Sequence, residues 1–306
     1  MPGKHSKPIF DIKLKPINFK KPKDIIGRIQ KKSLPLVIVI SVLTLSLVLS
    51  LCFVGGYFFS NNKQRKILSD SAELFRELGG QEAIVTLAAK NEDITGWINV
   101  VGTNICQAVC QGDNDTYYIN RNQFGKKSRY GALFLSCTDS FEREGNDKNI
   151  VIFGNDKKDG SMFGSLKKYR NLNFYKQHPC IEIYYGDAKE YYVIFSVMLV
   201  SSHQDDEGQI YKPYKSFFDD AADFNLWLTE TQERSIINST IEVNHGDELL
   251  TLVTSANDFE NARLVIHAKK ITEWDASHMD VSGATISKKT KYPKIWYTTR
   301  GLEYPY

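Results

Sequence analysis

The chain has 306 residues, of which 42% are hydrophobic, 12% aromatic and 25% charged. This composition supplies enough apolar surface for a buried core and excludes a chain that is disordered throughout. The net charge of +3 is unevenly distributed, because residues 1–32 carry +8 and residues 33–306 carry −5. The larger, acidic part offers no broad basic face for nucleic acid. Four prolines in residues 1–32 argue against a folded nucleic-acid-binding head, so we expect no nucleic-acid partner.

Residues 34–59 contain no charged side chain and read LPLVIVISVLTLSLVLSLCFVGGYFF. A helix needs roughly 20 such residues to cross a bilayer, so we predict one transmembrane helix. Val54-Gly55-Gly56 is a poor signal-peptidase site, which favours an uncleaved anchor. The positive-inside rule then places the basic head in the cytoplasm and residues 60–306 outside. The expected location is a plasma membrane, with a single pass and an extracellular C-terminal body.

Helical and then strand-like patterns follow the apolar stretch. Apolar residues recur at three and four positions from 63 to 91, and Gly79-Gly80 predicts a break into two helices. Short β-branched and aromatic runs between residues 96 and 271 predict a closed or sandwich-like β domain. The predicted strands are 97–101, 105–111, 116–119, 132–136, 150–153, 181–185, 191–200, 240–243, 249–254 and 264–268. Helical insertions are expected at 162–169 and 217–233, the second capped by Ser216.

Six motifs occur in an order and spacing that resemble the class B sortases. They are NEDITGWI (91–98, with VGT at 101–103), QGDNDTYY (111–118), YGALF (130–134), IVIFGN (150–155), DGSMFGSL (159–166) and LTLVTS (250–255, followed by Arg263). Class B sortases are membrane-anchored cysteine transpeptidases that attach surface proteins to the Gram-positive cell wall. The resemblance implies a mainly β, α+β fold: a closed eight-stranded sortase-type β-barrel with N-terminal helices and a helix between the sixth and seventh strands.

Two of the three catalytic positions implied by this resemblance are substituted. Asn155 stands at the position of the general acid/base histidine, and Ser255 stands at the position of the cysteine nucleophile. Only Arg263, the residue that would hold a substrate carbonyl or oxyanion, matches the family pattern. A serine hydroxyl needs a general base as it attacks, and an asparagine amide cannot act as one near neutral pH. Thr254 and Asn257 are the expected residues of the binding groove.

No other residue that could serve as nucleophile or general base lies at a sequence spacing that would bring it to this site. His267 shares a strand face with Arg263, but four residues along a strand is about 13 Å. Cys137 is expected to be a partly buried structural thiol. Three further histidines are expected to be solvated in loops: His178, His203 and His245. Residues 205–208, DDEG, are expected to be a solvated acidic loop rather than a Ca²⁺ site. No zinc-ligand spacing occurs, so we expect no metal and no cofactor.

These observations predict five regions. They are a basic cytoplasmic head (1–32), a transmembrane anchor (33–60), extracytoplasmic helices (61–95), a sortase-like barrel (96–271) and an aromatic, basic extension (272–306). The favoured function is a pseudo-sortase that binds a sorting-signal-like peptide or cell-wall precursor without transpeptidation. One alternative is an active sortase or a slow serine hydrolase built on Ser255. The other is a surface scaffold whose extension docks on its own barrel or on a protein partner.

Overall fold

The structure is a computed structural model that describes residues 34–143, 148–203, 206 and 211–306. The predicted basic head lies outside the described residues, as do Asp205, Glu207 and Gly208 of the acidic loop. The remaining acid of that loop, Asp206, accepts a hydrogen bond from Ser201 Oγ at 3.0 Å. The chain divides into two units, residues 1–59 and 60–306.

The described part of the first unit belongs to helix α1, Leu34–Leu78. Nearly all its side chains from Leu36 to Phe59 are exposed although they are apolar. Among the described residues this is the one helix whose length and composition would let it cross a membrane. The helix is therefore consistent with a single membrane span.

The second unit is built on eight barrel strands and two short strands outside the barrel. The strands are β1 Ile94–Val100, β2 Ile105–Cys110, β3 Leu133–Leu135, β4 Asn149–Phe153, β5 Cys180–Tyr185, β6 Ala188–Ser201, β7 Ile237–Asn238, β8 Leu249–Ser255, β9 Ala262–Ile271 and β10 Thr285–Ile286. The barrel closes in the order β1-β2-β3-β4-β8-β9-β6-β5, and β7 pairs with β10. Neighbours are antiparallel except for the β2–β3 and β4–β8 pairs. The predicted closed eight-stranded barrel is confirmed.

The central strands are buried on both faces, which explains their continuous apolar sequences. Ile150, Val197 and Leu252 belong to the main core and are fully buried. The outer face of the sheet is covered by helix α4, Ala221–Arg234, which contributes Phe224 and Trp227 to a second cluster. This helix lies between the sixth and seventh barrel strands, as predicted. Its N-cap is Asp220, whose side chain accepts from the Asp223 amide, and not the predicted Ser216.

The N-terminal helical segment divides where the sequence indicates. Gly79 has a φ of +85°, which ends α1 and precedes helix α2, Gly80–Ala88. In the part of α1 that belongs to the second unit, Phe75 stacks on the buried Trp97 with ring centroids 4.4 Å apart. Gln123 on the barrel side donates to Ser71 Oγ of the same helix at 2.7 Å. Apolar and polar contacts together seat this segment on the barrel.

Three predicted elements differ from the structure. Residues 116–119 are not a strand; a 3₁₀ turn covers Tyr117–Asn120 because the Tyr118 hydroxyl is drawn inward to donate to Asp93 Oδ2. Residues 240–243 form no strand, since the pairing with β10 falls earlier, at β7. The insertion at 162–169 is a 3₁₀ turn over Leu166–Arg170, followed by helix α3, Leu172–Gln177.

The C-terminal extension forms short ordered elements within the second unit. It forms helix α5 (Glu273–Ser277), strand β10 and helix α6 (Lys294–Thr298). Val281 and Ala284 are buried in the main core. Lys291 is buried beside α4, where its ammonium donates to Glu230 Oε1 at 2.8 Å. The contacts show where the extension packs, although its sequence has no clear period.

A buried charge network lies where β6 begins and β9 ends. Glu190, with a side chain only 7% exposed, accepts from Lys270 Nζ at 2.5 Å and from Tyr192 Oη at 2.5 Å. Arg143 Nη2 donates to Tyr192 Oη, and Arg143 Nε lies 3.0 Å from Glu248 Oε2. Burial alone would raise the pKa of Glu190, but the hydrogen bonds from Lys270 and the tyrosines outweigh it and the pKa is lowered.

Candidate active site

The strand register brings the three family catalytic positions to one end of the barrel. Ser255 is the last residue of β8 and pairs with Arg263 across the β8–β9 ladder. β4 runs parallel to β8 with Phe153 beside Val253, so the chain leaving β4 brings Asn155 to the same end. All three residues line one cavity of about 340 Å³. Ser255 is exposed, whereas Asn155 and Arg263 are half-buried.

A second cavity, of about 210 Å³, lies on the other side of Ser255. Thr254 and Ser255 line both cavities, and Asn257 lines the second. Thr254 and Asn257, the two residues expected in the binding groove, therefore both line a cavity that Ser255 also lines. Thr254 is 4% exposed, and its hydroxyl has no hydrogen-bond partner within the described chain. A ligand backbone in the groove could satisfy that hydroxyl.

Asn155 is held by the protein itself. Its Nδ2 donates to Ile119 O at 2.8 Å and to Tyr130 O at 2.9 Å, so both amide hydrogens are used. These carbonyls belong to the 3₁₀ turn over Tyr117–Asn120 and to the turn before β3. The side chain thus ties two loops to the end of β4.

Gly131 accommodates this arrangement. Its φ is +74°, and a Cβ atom there would lie 2.5 Å from Asn155 Nδ2 and 2.7 Å from Ile119 O. Both values are far below a van der Waals contact. A glycine is therefore required where the loop passes over the asparagine.

Some of the hydrogen-bond donors of Arg263 are used by neighbouring backbone carbonyls. Its Nη1 donates to Ala262 O at 3.0 Å and approaches Asn261 O at 3.5 Å. The turn between β8 and β9 is also held from outside, because Arg170 forms a bidentate pair with Asp258 at 2.9 and 3.0 Å. Guanidinium donors of Arg263 that are not used by these carbonyls can serve a ligand oxygen at the cavity.

The described residues that line the two cavities include no histidine and no cysteine. His267 is fully buried elsewhere, with Nε2 at 2.8 Å from Pro213 O, and burial lowers its pKa to about 4. His178 and His245 are half-buried against Phe174 and Phe224 rather than solvated as expected, whereas His203 is exposed. Among the described residues no group of three or more His, Cys, Asp or Glu side chains is arranged to hold a metal ion.

Cys137 is not the partly buried thiol that the sequence predicts. It is exposed just after β3, and its backbone amide donates to Asp115 Oδ1 at 2.7 Å. Partial desolvation and the Asp115 carboxylate raise the pKa of the Cys137 thiol, which keeps it protonated and weakly nucleophilic. Asp115 itself lines the larger cavity and was missed by the sequence reasoning, although it lies within the QGDNDTYY motif (111–118).

A closed eight-stranded barrel with serine, asparagine and arginine at one end has the architecture of a sortase. No family model matches the chain. Sortase B of Listeria monocytogenes is 26% identical over 230 residues, covering 72% of this chain and 90% of that protein. A crystal structure of Clostridium perfringens sortase B is 32% identical, with a TM-score of 0.56 over 61% of this chain and 99% of that one. A Staphylococcus aureus sortase B–substrate complex shares the fold, with a TM-score of 0.63 at 24% identity over 70% of this chain and 99% of that one. The chain belongs to the class B sortase family.

Proposed function

We propose that this chain is a degenerate class B sortase that binds a peptide and has lost transpeptidation. The observation that carries the proposal is the Asn155 side chain, whose two amide hydrogens are both donated to backbone carbonyls. An asparagine amide neither accepts the proton of an attacking hydroxyl nor protonates a leaving amine near neutral pH, and these two bonds give the side chain a structural role instead. Ser255 has no other base among the described histidines, since none lines its cavities.

The proposed ligand is a sorting-signal-like peptide or a cell-wall precursor, with a protein partner as a further possibility. A Staphylococcus aureus sortase B of the same fold has been solved as a substrate complex. Thr254 and Ser255 line both cavities. An extended peptide passing over the serine would enter both cavities and place a carbonyl oxygen near Arg263.

The proposal is tested by assaying the full chain with a class B sorting-signal peptide and an amine acceptor. Binding without cleavage is expected. Turnover by the unmodified protein that disappears in Ser255→Ala would contradict the proposal and favour the alternative of a serine hydrolase. Because Ser255 is exposed, the alanine variant is expected to keep the melting temperature of the parent.

We also propose that residues 33–60 anchor the protein in the plasma membrane, with 1–32 cytoplasmic and the regions 61–95, 96–271 and 272–306 extracellular. The charge of +8 before the apolar stretch supports this orientation. Protease added to intact, wall-stripped cells should digest the C-terminal body and spare the head. Protection of the body from protease would contradict the orientation.

Arg263→Ala is expected to weaken binding of the sorting-signal peptide by roughly ten- to a hundredfold, because a hydrogen bond to a charged group contributes about 1.5–3 kcal/mol. The melting temperature should change little, since the carbonyls that Arg263 reaches belong to an adjacent turn. Arg121→Ala is a matched control, because Arg121 also donates to a local carbonyl, Gly125 O, but lines neither cavity. A large loss of stability with unchanged affinity would assign Arg263 a structural role and favour the scaffold alternative.

A further inference from the structure

Three segments of the second unit meet shortly after the apolar part of α1 ends. Gln64 of α1 is only 4% exposed, and its Oε1 accepts from Asn122 Nδ2 at 3.2 Å and from Ser128 Oγ at 3.3 Å. Its neighbour Arg65 donates from Nε to Asp159 Oδ2 at 2.8 Å. The segments that these contacts hold together are residues 60–66, 121–130 and 157–159.

These three segments form a basic surface on an acidic body. They contain nine basic side chains and one acidic side chain, whereas residues 33–306 together carry −5. The single acid, Asp159, is already paired with Arg65. Five of the lysines are exposed, and none of them takes part in an ion pair within the described residues: Lys63, Lys66, Lys126, Lys127 and Lys158. Their ammonium groups are therefore available to an anionic partner.

Chain connectivity keeps the basic surface close to the expected edge of the bilayer. Phe59 is the last residue of the uncharged stretch, and Gln64 follows it by five residues. Five residues reach at most about 18 Å even when fully extended. The polar headgroup region is itself about 5–8 Å deep on each side of the hydrocarbon. Since Gln64 bonds directly to the 121–130 loop, that loop also lies within reach of the headgroups.

We infer that the basic surface docks on the anionic phospholipid headgroups of the bilayer that holds α1. Lysine ammonium groups donate to phosphodiester oxygens, and each lysine near an anionic bilayer strengthens association about fivefold. The inference rests on the proposed membrane anchor but not on peptide binding. Tyr130, in the same loop, accepts from Asn155 through its backbone carbonyl. Docking would therefore hold the Asn155 end of the larger cavity at a fixed height above the bilayer.

The test uses the full chain in lipid nanodiscs and follows acetylation of each lysine by a water-soluble reagent, with mass spectrometry as the readout. One set of discs contains phosphatidylcholine alone, and the other contains phosphatidylcholine mixed with phosphatidylglycerol. The lysines of the basic surface are expected to react at least about threefold more slowly in the anionic discs, and salt at about 1 M should remove the difference. Lys288 and Lys289, an exposed adjacent pair after β10, should react equally in both.

The double variant Lys126→Gln with Lys127→Gln should lose most of the protection of the two lysines of α1, because two of the docking charges are gone. Both residues are exposed, so the variant is expected to fold. Lys288→Gln with Lys289→Gln is the matched control, since it removes the same charge from a segment beside β7, and it should keep the protection.

Equal acetylation rates of the parent in the two kinds of disc would overturn the inference even if the variant failed to fold. Full protection in a folded Lys126→Gln, Lys127→Gln variant would also overturn it. Failure of the proposed anchor is distinguishable, because the chain would then not co-elute with either kind of disc, and the inference would fall with it. Loss of peptide binding would leave these rates unchanged.

Discussion

The double variant Ser255→Cys with Asn155→His is expected to gain transpeptidation of a sorting-signal peptide, whereas each single variant should remain nearly inactive. A thiolate supplies the nucleophile, and an imidazole supplies the acid that protonates the leaving amine. General acid–base catalysis contributes about 10²–10⁴-fold, so the double variant should exceed Ser255→Cys alone by at least about a hundredfold. The measurement is amine-dependent cleavage of the peptide.

The same variant should lose stability. A neutral imidazole has one N–H and cannot donate to both Ile119 O and Tyr130 O, and the cost is largest where the Tyr130 carbonyl, which is the more buried of the two, loses its partner. An unsatisfied buried acceptor costs about 1–3 kcal/mol, which should be visible as a lower melting temperature in every variant that lacks Asn155. Ser255→Cys with Asn155→Ala is the control, because it carries the thiol and the loop defect without the imidazole. Equal activity of this control and the histidine variant would contradict the assigned role of position 155.

Glu190→Gln is expected to destabilise the folded body by about 2–4 kcal/mol at neutral pH. Glu190 is the buried member of its pair with Lys270 and also accepts from the Tyr192 hydroxyl, and its neutralisation leaves Lys270 with only the more exposed Glu248 as a counter-charge. Because Lys270 is 36% exposed, solvent screening keeps the effect toward the lower part of this range. Chemical denaturation of the full chain in detergent measures the change in unfolding free energy.

The contribution of Glu190 to the stability of the folded protein decreases toward acid pH. The pKa of Glu190 is lower in the folded protein, so its contribution is present above the unfolded carboxyl pKa of about 4.3 and is lost as the pH falls through the folded value. The parent and Glu190→Gln should therefore converge in stability at acid pH. Glu233→Gln is the matched control, since Glu233 also shares its lysine, Lys291, with a second glutamate but is 54% exposed, and a loss below about 1 kcal/mol is expected. Equal losses in the two variants would contradict the importance of burial.

The sequence alone determined the features that depend on residues close together in the chain. The apolar stretch at 34–59 needs only its own composition to be recognised as long enough for a membrane span. The barrel strands follow from β-branched and aromatic runs bounded by turn residues, and the break at Gly79 follows from glycine itself. The sequence also predicts that positions 155 and 255 are substituted catalytic positions, because the motifs around them resemble family motifs.

Only the tertiary structure decided what the substituted site does with its side chains. The Asn155 amide donates to the carbonyls of Ile119 and Tyr130, which lie 36 and 25 residues away. No local sequence pattern could reveal that both of its amide hydrogens are already bonded. The Tyr117–Asn120 turn looked like a strand because Tyr118 suits either state, and its bond to Asp93 selects the turn. Asp115 reaches the cavity through contacts with Ser136 and Cys137. In each case the deciding partner is distant in sequence, so only the folded chain brings the donor and the acceptor together.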